Sequence, residues 1–278
     1  MIPPSPPAHF HWVDSEWGVA LVCEGLEDIA RHLFTTRGWA LGSRAVGRDE
    51  EAAWGAVAQA IGVDGRQLAR ARQVHGAAVV TATVTGALPT ADIIVTADGA
   101  VPAAIQTADC VPLLLADRRT GAVAAAHAGW RGLVARVPEV AVGALVDAFG
   151  SRPEDLLVAI GPSIGACCYE VGADVRAAFD SAGWDRGATA RWFHDAPAVS
   201  LENPPMPGMR PHGDGAHWFL DQWGVASEGL KTAGVPPAQI FLAGLCTASH
   251  PDVFCSYRRD GVSAGRMAGA IRAGRRNP

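Results

Sequence analysis

Three short segments of this chain place metal-binding or nucleophilic side chains beside strand-like runs. Cys110 comes directly before the apolar run 111–116, and His127 comes directly after the run 122–126. His75 lies just before a third β-like run. Zinc takes imidazole and thiolate ligands in a tetrahedron, and a catalytic zinc site keeps one position open for water. The three residues therefore predict an open zinc site, in which a bound water would be acidified toward neutral pH.

The same residue types allow two other interpretations. A cysteine paired with a histidine base is also the arrangement of a nucleophilic hydrolase. Alternatively, the three residues are purely structural: the cysteine is a small buried side chain, and the two histidines are held by hydrogen bonds without taking part in catalysis. Because the three residues come from separate segments without the spacing of a zinc finger, their types alone do not choose among these interpretations.

Strands and helices must bring these segments together. Short apolar runs bounded by Gly, Asp and Thr are typical of buried strands, and apolar residues at helical intervals predict amphipathic helices. Strands are predicted at 77–83, 92–95, 103–107, 111–116, 122–126, 156–160 and 240–243, and helices at 49–61, 133–149, 171–182 and 218–233. Strands cluster in the first half and alternate with helices later, which favours one α+β domain over two independent ones.

The domain organisation follows from composition along the chain. Residues 1–12 form a Pro-rich lead that we expect to be disordered. Residues 13–272 are predicted to form a single catalytic domain. Within it, 194–217 is rich in Pro, Gly and His and is predicted to be a long surface loop.

Charge and cysteine usage exclude several classes of protein. A net charge of −5 gives no case for nucleic-acid binding, which would require a basic surface. No apolar stretch reaches the roughly 20 residues that span a bilayer, and no signal peptide is recognisable. The six cysteines include no Cys-x-x-Cys pair. We therefore expect a cytoplasmic protein with reduced thiols that does not bind membranes.

Five motifs resemble those of a known family. They are Arg-Gln-Val-His-Gly at 72–76, Thr-Ala-Asp-Cys at 107–110, His-Ala-Gly-Trp-Arg-Gly at 127–132, the Gly-Pro-Ser-Ile-Gly and Tyr-Glu-Val-Gly pair within 160–172, and Ser-Tyr-Arg-Arg with Gly-Arg within 256–266. In this order they resemble the YfiH-type family, from about residue 34 to residue 266. That family was long labelled laccase-like polyphenol oxidase, and is now regarded as zinc-dependent purine nucleoside phosphorylases that also deaminate adenosine.

The resemblance implies a fold and a ligand set. It implies one domain with a layered α/β/β/α form, and Zn²⁺ rather than copper bound by His75, Cys110 and His127. The substrates that it implies are phosphate and purine nucleosides such as adenosine and inosine.

Residue types suggest roles for further side chains in that chemistry. Deamination requires a group that moves a proton to the departing ammonia, for which Asp109 and Cys246 are candidates. Phosphorolysis requires cations that hold phosphate, and guanidinium groups match phosphate oxygens in pairs. Arg37, Arg131 and Arg258 are the candidates for this role. The family's usual pattern is altered directly after Arg37, where the chain has Gly-Trp-Ala-Leu-Gly.

The sequence leaves two alternative functions open. Copper-dependent phenol oxidation ranks low, because multicopper sites need many paired histidines and the chain has nine, with one His-x-His at 9–11 in the Pro-rich lead. A hydrolase that uses Cys110 as nucleophile and His127 as base could edit peptidoglycan precursors, a role to which the resembling family has been linked. A chelator distinguishes this hydrolase from a zinc enzyme.

Overall fold

A computed structural model describes residues 3–42, 49–83, 88–209 and 216–274, and within them the strands form three sheets. The strands are β1 (Phe10–Ser15), β2 (Gly18–Cys23), β3 (Ala30–Thr35), β4 (Val79–Thr81), β5 (Ile93–Thr96), β6 (Ala103–Thr107), β7 (Val111–Asp117), β8 (Val123–Ala128), β9 (Leu156–Ile160), β10 (Glu170–Gly172), β11 (Phe193–His194), β12 (His217–Leu220), β13 (Ile240–Leu242) and β14 (Met267–Ala273). The α-helices are α1 (Glu24–Glu27), α2 (Glu50–Ala60), α3 (Trp130–Val134), α4 (Val137–Phe149), α5 (Ala173–Ser181), α6 (Arg186–Trp192), α7 (Gln222–Thr232) and α8 (Tyr257–Asp260).

The central six-stranded sheet has the order β13-β9-β7-β8-β5-β4. Every residue of β7 and β8 is buried, which explains why these strands appear in the sequence as continuous apolar runs rather than as an alternation. Leu113 and Leu115 pack into one apolar cluster, whereas Leu114 packs into another. Successive side chains of a strand point to opposite faces, so the sheet is covered on both sides.

A five-stranded sheet, β1-β2-β3-β14-β6, covers one face of the central sheet. Its Leu21, Phe34 and Ile271 share an apolar cluster with Leu114 and Ala125 of the central sheet. Burying a side chain of this size contributes roughly 1.5–3 kcal/mol, so this interface is a principal source of stability.

Helices form the two outer layers. Helices α4 and α7 cover the other face of the central sheet, where Leu145 and Leu230 join the cluster that contains Leu113. Helix α2 covers the outer face of the five-stranded sheet through Trp54 and Val57. The α/β/β/α order that the sequence resemblance implies is therefore confirmed. A small third sheet, β10-β12-β11, lies beside α5.

Several predicted elements agree closely with the structure. Strands β6 and β9 have the predicted bounds. Helix α2 begins after Asp49, whose side chain accepts a hydrogen bond from the Glu51 amide at 2.9 Å, as expected of an N-cap.

Other elements depart from prediction for local reasons. The helix predicted at 133–149 is two helices, because Arg136 between them takes a left-handed φ of 60°. The helix predicted at 218–233 begins only at Gln222, and 217–220 pairs as β12 instead. Strand β4 is shorter than the run 77–83.

The structure describes parts of the predicted Pro-rich lead and of the predicted surface loop. Strand β1 begins at Phe10, which pairs with Cys23, so the last residues of the lead at 1–12 belong to a sheet. The segment 194–217 starts at the end of β11 and ends in β12, and its residues 210–215 lie outside the described ranges. None of the described helices has the length and apolar character needed to cross a membrane.

Candidate active site

The three predicted ligands lie together at one edge of the central sheet. One ring nitrogen each of His75 and His127 and the Sγ of Cys110 lie within 4.8 Å of one another. The two imidazole rings meet edge to face, with centroids 4.8 Å apart. His127 is buried, Cys110 is half-buried and His75 is exposed. Two imidazoles and a thiolate with one accessible side suit a metal that keeps an open position, so these residues can hold a metal ion.

Strand pairing explains why distant segments meet at this edge. Strand β7 begins one residue after Cys110, and β8 ends one residue after His127. These strands are antiparallel neighbours, so the start of one and the end of the other coincide. Strand β5 pairs antiparallel with β8 and parallel with β4, so the segments before β5 and β4 also reach this edge. Asp92 lies on the first of these segments and His75 on the second.

Asp92 is a site residue that the sequence analysis did not single out. It is 0% exposed, and its Oδ1 lies 2.9 Å from the Nδ1 of His127. Oδ1 also accepts a hydrogen bond from the amide of His75 at 3.0 Å, and Oδ2 accepts from the amide of Gly76 at 2.8 Å. A carboxylate behind a metal-binding histidine fixes its ring and tautomer. One signal was present in the sequence, since Asp92 directly precedes a buried apolar strand.

Backbone geometry at the site is unusual in two places. His75 and Asp109 have φ values of 61° and 85°, in the left-handed region that non-glycine residues rarely adopt. A third position requires glycine for a different reason. A Cβ on Gly129 would lie 2.7 Å from the Cys110 Sγ and 3.2 Å from the His75 ring. The glycine therefore permits the close approach of the ligands.

The charges of Cys110 and His127 are linked. Burial raises the pKa of the Cys110 thiol, but the neighbouring His127 and His75 outweigh it and hold the pKa below its ordinary value. Burial lowers the pKa of His127, yet the Cys110 thiolate and the Asp92 carboxylate together raise it. Both shifts favour the charged forms of the two side chains, and the thiolate is the form of cysteine that binds metals.

Asp109 connects this centre to the segment that carries Arg258. Its carboxylate accepts short hydrogen bonds of 2.6 Å from the Thr247 hydroxyl and from the amide of Arg258. Burial raises the pKa of the Asp109 carboxyl, and these hydrogen bonds oppose the rise. The Arg258 guanidinium donates to the Glu170 carbonyl at 2.7 Å and lies 5.0 Å from the centre of the Tyr169 ring. Asp109 thus positions the segment that carries Arg258.

A cavity of about 820 Å³ opens over the centre. Besides His75, Cys110, His127 and Asp109, its lining includes three arginines and two tyrosines, which are Arg72, Arg258, Arg266, Tyr169 and Tyr257. The cavity therefore combines a metal-binding set, positive charge and aromatic surface, and its volume is within the range of small-molecule sites.

Three of the predicted site residues lie elsewhere. Cys246 is 0% exposed and belongs to a separate cluster of cysteines. Arg131 stacks on the Trp130 ring at 4.2 Å, and Arg37 donates to the carbonyl of Pro251. The described residues that line the cavity include none of these three.

Two arginines of the lining were not among the predicted candidates. Arg72 donates to the Thr90 hydroxyl at 2.7 Å, and Arg266 donates to the carbonyls of Ala264 and Gly265. Arg72 lies in the motif at 72–76 and Arg266 in the motif at 256–266, so the motifs were a signal that could have identified both residues. Their convergence on one cavity depends on pairing between distant strands, which the sequence pattern does not report.

The four-layer fold and the His-Cys-His set define a single-domain α+β protein with a candidate metal centre in a surface cavity. The chain belongs to the family described as multi-copper polyphenol oxidoreductase laccase, whose model matches residues 49–274. The structure of a hypothetical protein YfiH from Bacillus licheniformis has the same fold, with a TM-score of 0.80 and 24% identity over 96% of this chain and 100% of that one.

Two relatives named purine nucleoside phosphorylase are similar in sequence. The Deinococcus radiodurans protein is 38% identical over 79% of this chain and 76% of its own length. The Bacteroides thetaiotaomicron protein is 36% identical over 65% of this chain and 60% of its own length.

Proposed function

We propose that this protein is a zinc-dependent purine nucleoside phosphorylase that also deaminates adenosine. The observation that carries the proposal is the cavity whose lining includes His75, Cys110 and His127 together with three arginines. The names of the two relatives support the phosphorylase activity. The donor set supports zinc, because the geometry suits a tetrahedral ion with one open position.

The arginines of the lining supply the phosphate site in this proposal. Arg72, Arg258 and Arg266 all line the same cavity. Phosphorolysis needs phosphate held beneath the ribose C1′, where the negative charge of the phosphate stabilises the oxocarbenium-like state that forms as the glycosidic bond breaks. We assign this role to these three residues, of which Arg258 is also a candidate from sequence.

The tyrosines of the lining fit the nucleoside. Tyr169 and Tyr257 present aromatic surface to the cavity, and flat purine bases stack on such rings. Tyr169 also lies under the Arg258 guanidinium. The purine base on Tyr169 and the phosphate on Arg258 would therefore be bound next to each other in the cavity.

The remaining residues position groups and move protons. Bound zinc would supply Lewis acidity and an acidified water for deamination. Asp92 orients the ring of His127 and the backbone of His75. Asp109 is the carboxylate among the described residues of the cavity lining, so we assign to it the transfer of a proton to the leaving group. Cys246, the other candidate for this transfer, lies outside that lining.

The purified full-length protein provides the test. We expect about one zinc ion in this centre, inosine and ammonia from adenosine, and free base with ribose 1-phosphate only when phosphate is present. Cys110→Ala should abolish both reactions and lose the zinc ion of this centre, whereas Cys255→Ala, at a buried cysteine outside the cavity, should retain both reactions and this zinc ion. Absence of free base and of inosine with zinc bound would overturn the proposed substrate class.

A second candidate function has one specific observation in its favour. Cys110, His127 and Asp92 form a chain of thiol, imidazole and carboxylate, which is the arrangement of a Cys-His-Asp hydrolase. Such a hydrolase, acting on amides such as peptidoglycan precursors, would keep its activity in the presence of a chelator. The proposed zinc enzyme would lose activity and regain it when zinc is restored.

Copper-dependent phenol oxidation has less support. Besides the His-Cys-His centre, the other metal-capable group within the described ranges consists of cysteines alone. A multicopper oxidase needs further clusters of histidines for its additional copper ions.

A further inference from the structure

A second cluster of metal-binding side chains lies apart from the cavity. The Sγ atoms of Cys167, Cys168 and Cys246 all lie within 4.8 Å of one another. The three residues are between 0% and 1% exposed, and none of them is in a disulfide. The Sγ atoms of Cys167 and Cys168 are 3.4 Å apart.

Backbone hydrogen bonds bring this cluster together from distant parts of the chain. Cys167 and Cys168 lie in the loop between β9 and β10, and Cys246 follows β13. The segments join where the Ser163 amide donates to the Leu245 carbonyl at 3.2 Å and the Thr247 amide donates to the Ser163 carbonyl at 3.1 Å. The cysteines are therefore held by main-chain pairing and not only by their own contacts.

A third segment closes over the sulfur atoms. The Ala198 amide donates to the Ala166 carbonyl at 3.2 Å. Further along, the Met206 amide donates to the Cys168 Sγ at 3.2 Å, and the Met206 side chain packs against the cluster. Residues 198–206 thus form a cover over the cysteines.

Hydrogen bonds are directed at the sulfur atoms themselves. The Gly165 amide donates to the Cys246 Sγ at 3.3 Å, as the Met206 amide does to Cys168. A neutral thiol is a weak acceptor, and a hydrogen bond is stronger when its acceptor is charged. Two amides aimed at two sulfur atoms therefore suit thiolates. Several buried thiolates without a cation would repel one another strongly.

A fourth possible donor atom lies beside two of the sulfur atoms. The Oγ of Ser249 lies 3.4 Å from the Sγ of Cys167 and 3.4 Å from that of Cys168. In a tetrahedral zinc site with Zn–S bonds of about 2.3 Å, neighbouring ligand atoms are roughly 3.5–3.8 Å apart. The three 3.4 Å distances among Cys167, Cys168 and Ser249 are shorter than these by a few tenths of an ångström.

We propose that Cys167, Cys168, Cys246 and Ser249 form a second metal site, which takes a thiophilic divalent cation such as Zn²⁺. Sulfur ligands select such ions over Mg²⁺, Ca²⁺ or Mn²⁺. Binding converts the thiols to thiolates and releases their protons to solvent. The site is structural, because its ligands are buried and it connects the β9–β10 loop, the segment after β13 and the cover.

This second site adjoins the proposed active site without belonging to it. Thr247, which follows Cys246, donates the 2.6 Å hydrogen bond to the Asp109 carboxylate. A cation on Cys246 would therefore fix the segment that holds Asp109. The inference stands independently of the reaction that the cavity catalyses.

Anaerobic titration of the reduced, metal-free protein with Co²⁺ tests the proposal. We expect two equivalents to bind, and His127→Ala should retain one equivalent with the intense thiolate-to-cobalt absorption of a sulfur-rich site. In that background, Cys246→Ser or Cys168→Ser should remove this signal. Cys255→Ser should leave it unchanged, because Cys255 lies outside the cluster.

A measurement on the unmodified protein avoids dependence on how the variants fold. Zinc K-edge X-ray absorption of the zinc-saturated protein should show about two sulfur ligands per zinc, the average of a three-sulfur site and a one-sulfur site. One bound equivalent with one sulfur ligand per zinc would overturn the proposal and would show that the cysteines are ordinary packed thiols. The proposal would also be overturned if the equivalent of Co²⁺ that His127→Ala retains still binds after Cys246→Ser and after Cys168→Ser.

Discussion

Asp92 Oδ1 lies 2.9 Å from His127 Nδ1, and the same carboxylate accepts hydrogen bonds from the amides of His75 and Gly76. One buried side chain therefore sets the ring of one metal-binding residue and the backbone of another. The second of these has a left-handed φ of 61°, a conformation that costs free energy unless its surroundings hold it. Asp92 thus maintains a geometry that the His75 segment would not adopt alone.

Replacing this carboxylate should weaken metal binding. In Asp92→Asn, an amide group takes the place of one oxygen, so one of the amides of 75 and 76 or the histidine ring loses its acceptor. Removing such a supporting carboxylate typically lowers metal affinity about 10–100-fold. Competition with a zinc-binding dye measures this loss. Asp14→Asn, at an exposed position of β1, is the control, and equal affinity in both variants would show that Asp92 does not support the site.

Gly129 should be intolerant of a side chain for steric reasons. In Gly129→Ala, the Cβ would be 2.7 Å from the Cys110 Sγ, closer than real contacts allow, so the ligand would have to move. We expect loss of the zinc ion at His75, Cys110 and His127, with the second site still occupied, and loss of activity in a protein that remains folded. Isotope-dilution or emission measurement of bound zinc, together with far-UV circular dichroism, checks both points.

The matched control for that substitution lies in α4. A Cβ on Gly143 would have no atom within 4 Å, and alanine is favoured over glycine in helices by about 0.5–1 kcal/mol. Gly143→Ala should therefore keep the metal and leave unfolding unchanged or slightly shifted to higher denaturant. An equal zinc content in the two variants would contradict the steric argument at 129.

The sequence predicts those parts of the fold whose burial gives a recognisable pattern of apolar residues. Strands buried on both faces, such as β7 and β9, are short apolar runs with clear ends, and α2 has a capping aspartate. The helix expected at 133–149 divides because Arg136 adopts a left-handed φ, which its residue type does not indicate. Residues 217–220 pair with β10 and β11, and such tertiary pairing overrides a helical pattern of apolar residues.

The candidate site was predictable in part for similar reasons. Cys110 and His127 stand at the ends of the apolar runs, where their positions are informative. Asp92 acts through hydrogen bonds to residues 17 and 35 positions away, and no local pattern reports such contacts. Arg37 and Arg131 have the right chemistry, but the fold directs them to Pro251 and Trp130.

The KM for phosphate should distinguish the arginines that line the cavity from Arg131, which lies outside the described lining. Losing a hydrogen bond to a charged group costs about 1.5–3 kcal/mol, so Arg72→Gln and Arg266→Gln should each raise the KM for phosphate about tenfold or more. Arg131→Gln, outside the described cavity lining, should change it less than about threefold. Initial rates of phosphorolysis at varied phosphate provide the measurement. A larger effect at 131 than at 72 and 266 would place phosphate elsewhere.

His32 should make stability fall on acidification. This residue of β3 is 6% exposed, and burial lowers its pKa from 6.5 to about 4. Its Nε2 accepts a hydrogen bond from the Cys23 amide at 2.9 Å, which a protonated ring cannot do. The unfolded chain therefore binds the additional proton between pH 6.5 and about 4.

The contribution of His32 to stability is thus complete above pH 6.5 and decreases as the pH falls through this window. A shift from 6.5 to about 4 corresponds to roughly 3 kcal/mol at about 1.4 kcal/mol per pH unit. Urea unfolding of the wild type and of His32→Gln between pH 7 and 4 measures it. Glutamine can keep the acceptor without titrating, so the free energy of unfolding of the variant should decline less steeply. Parallel declines in the two proteins would mean that His32 is not protonated on unfolding.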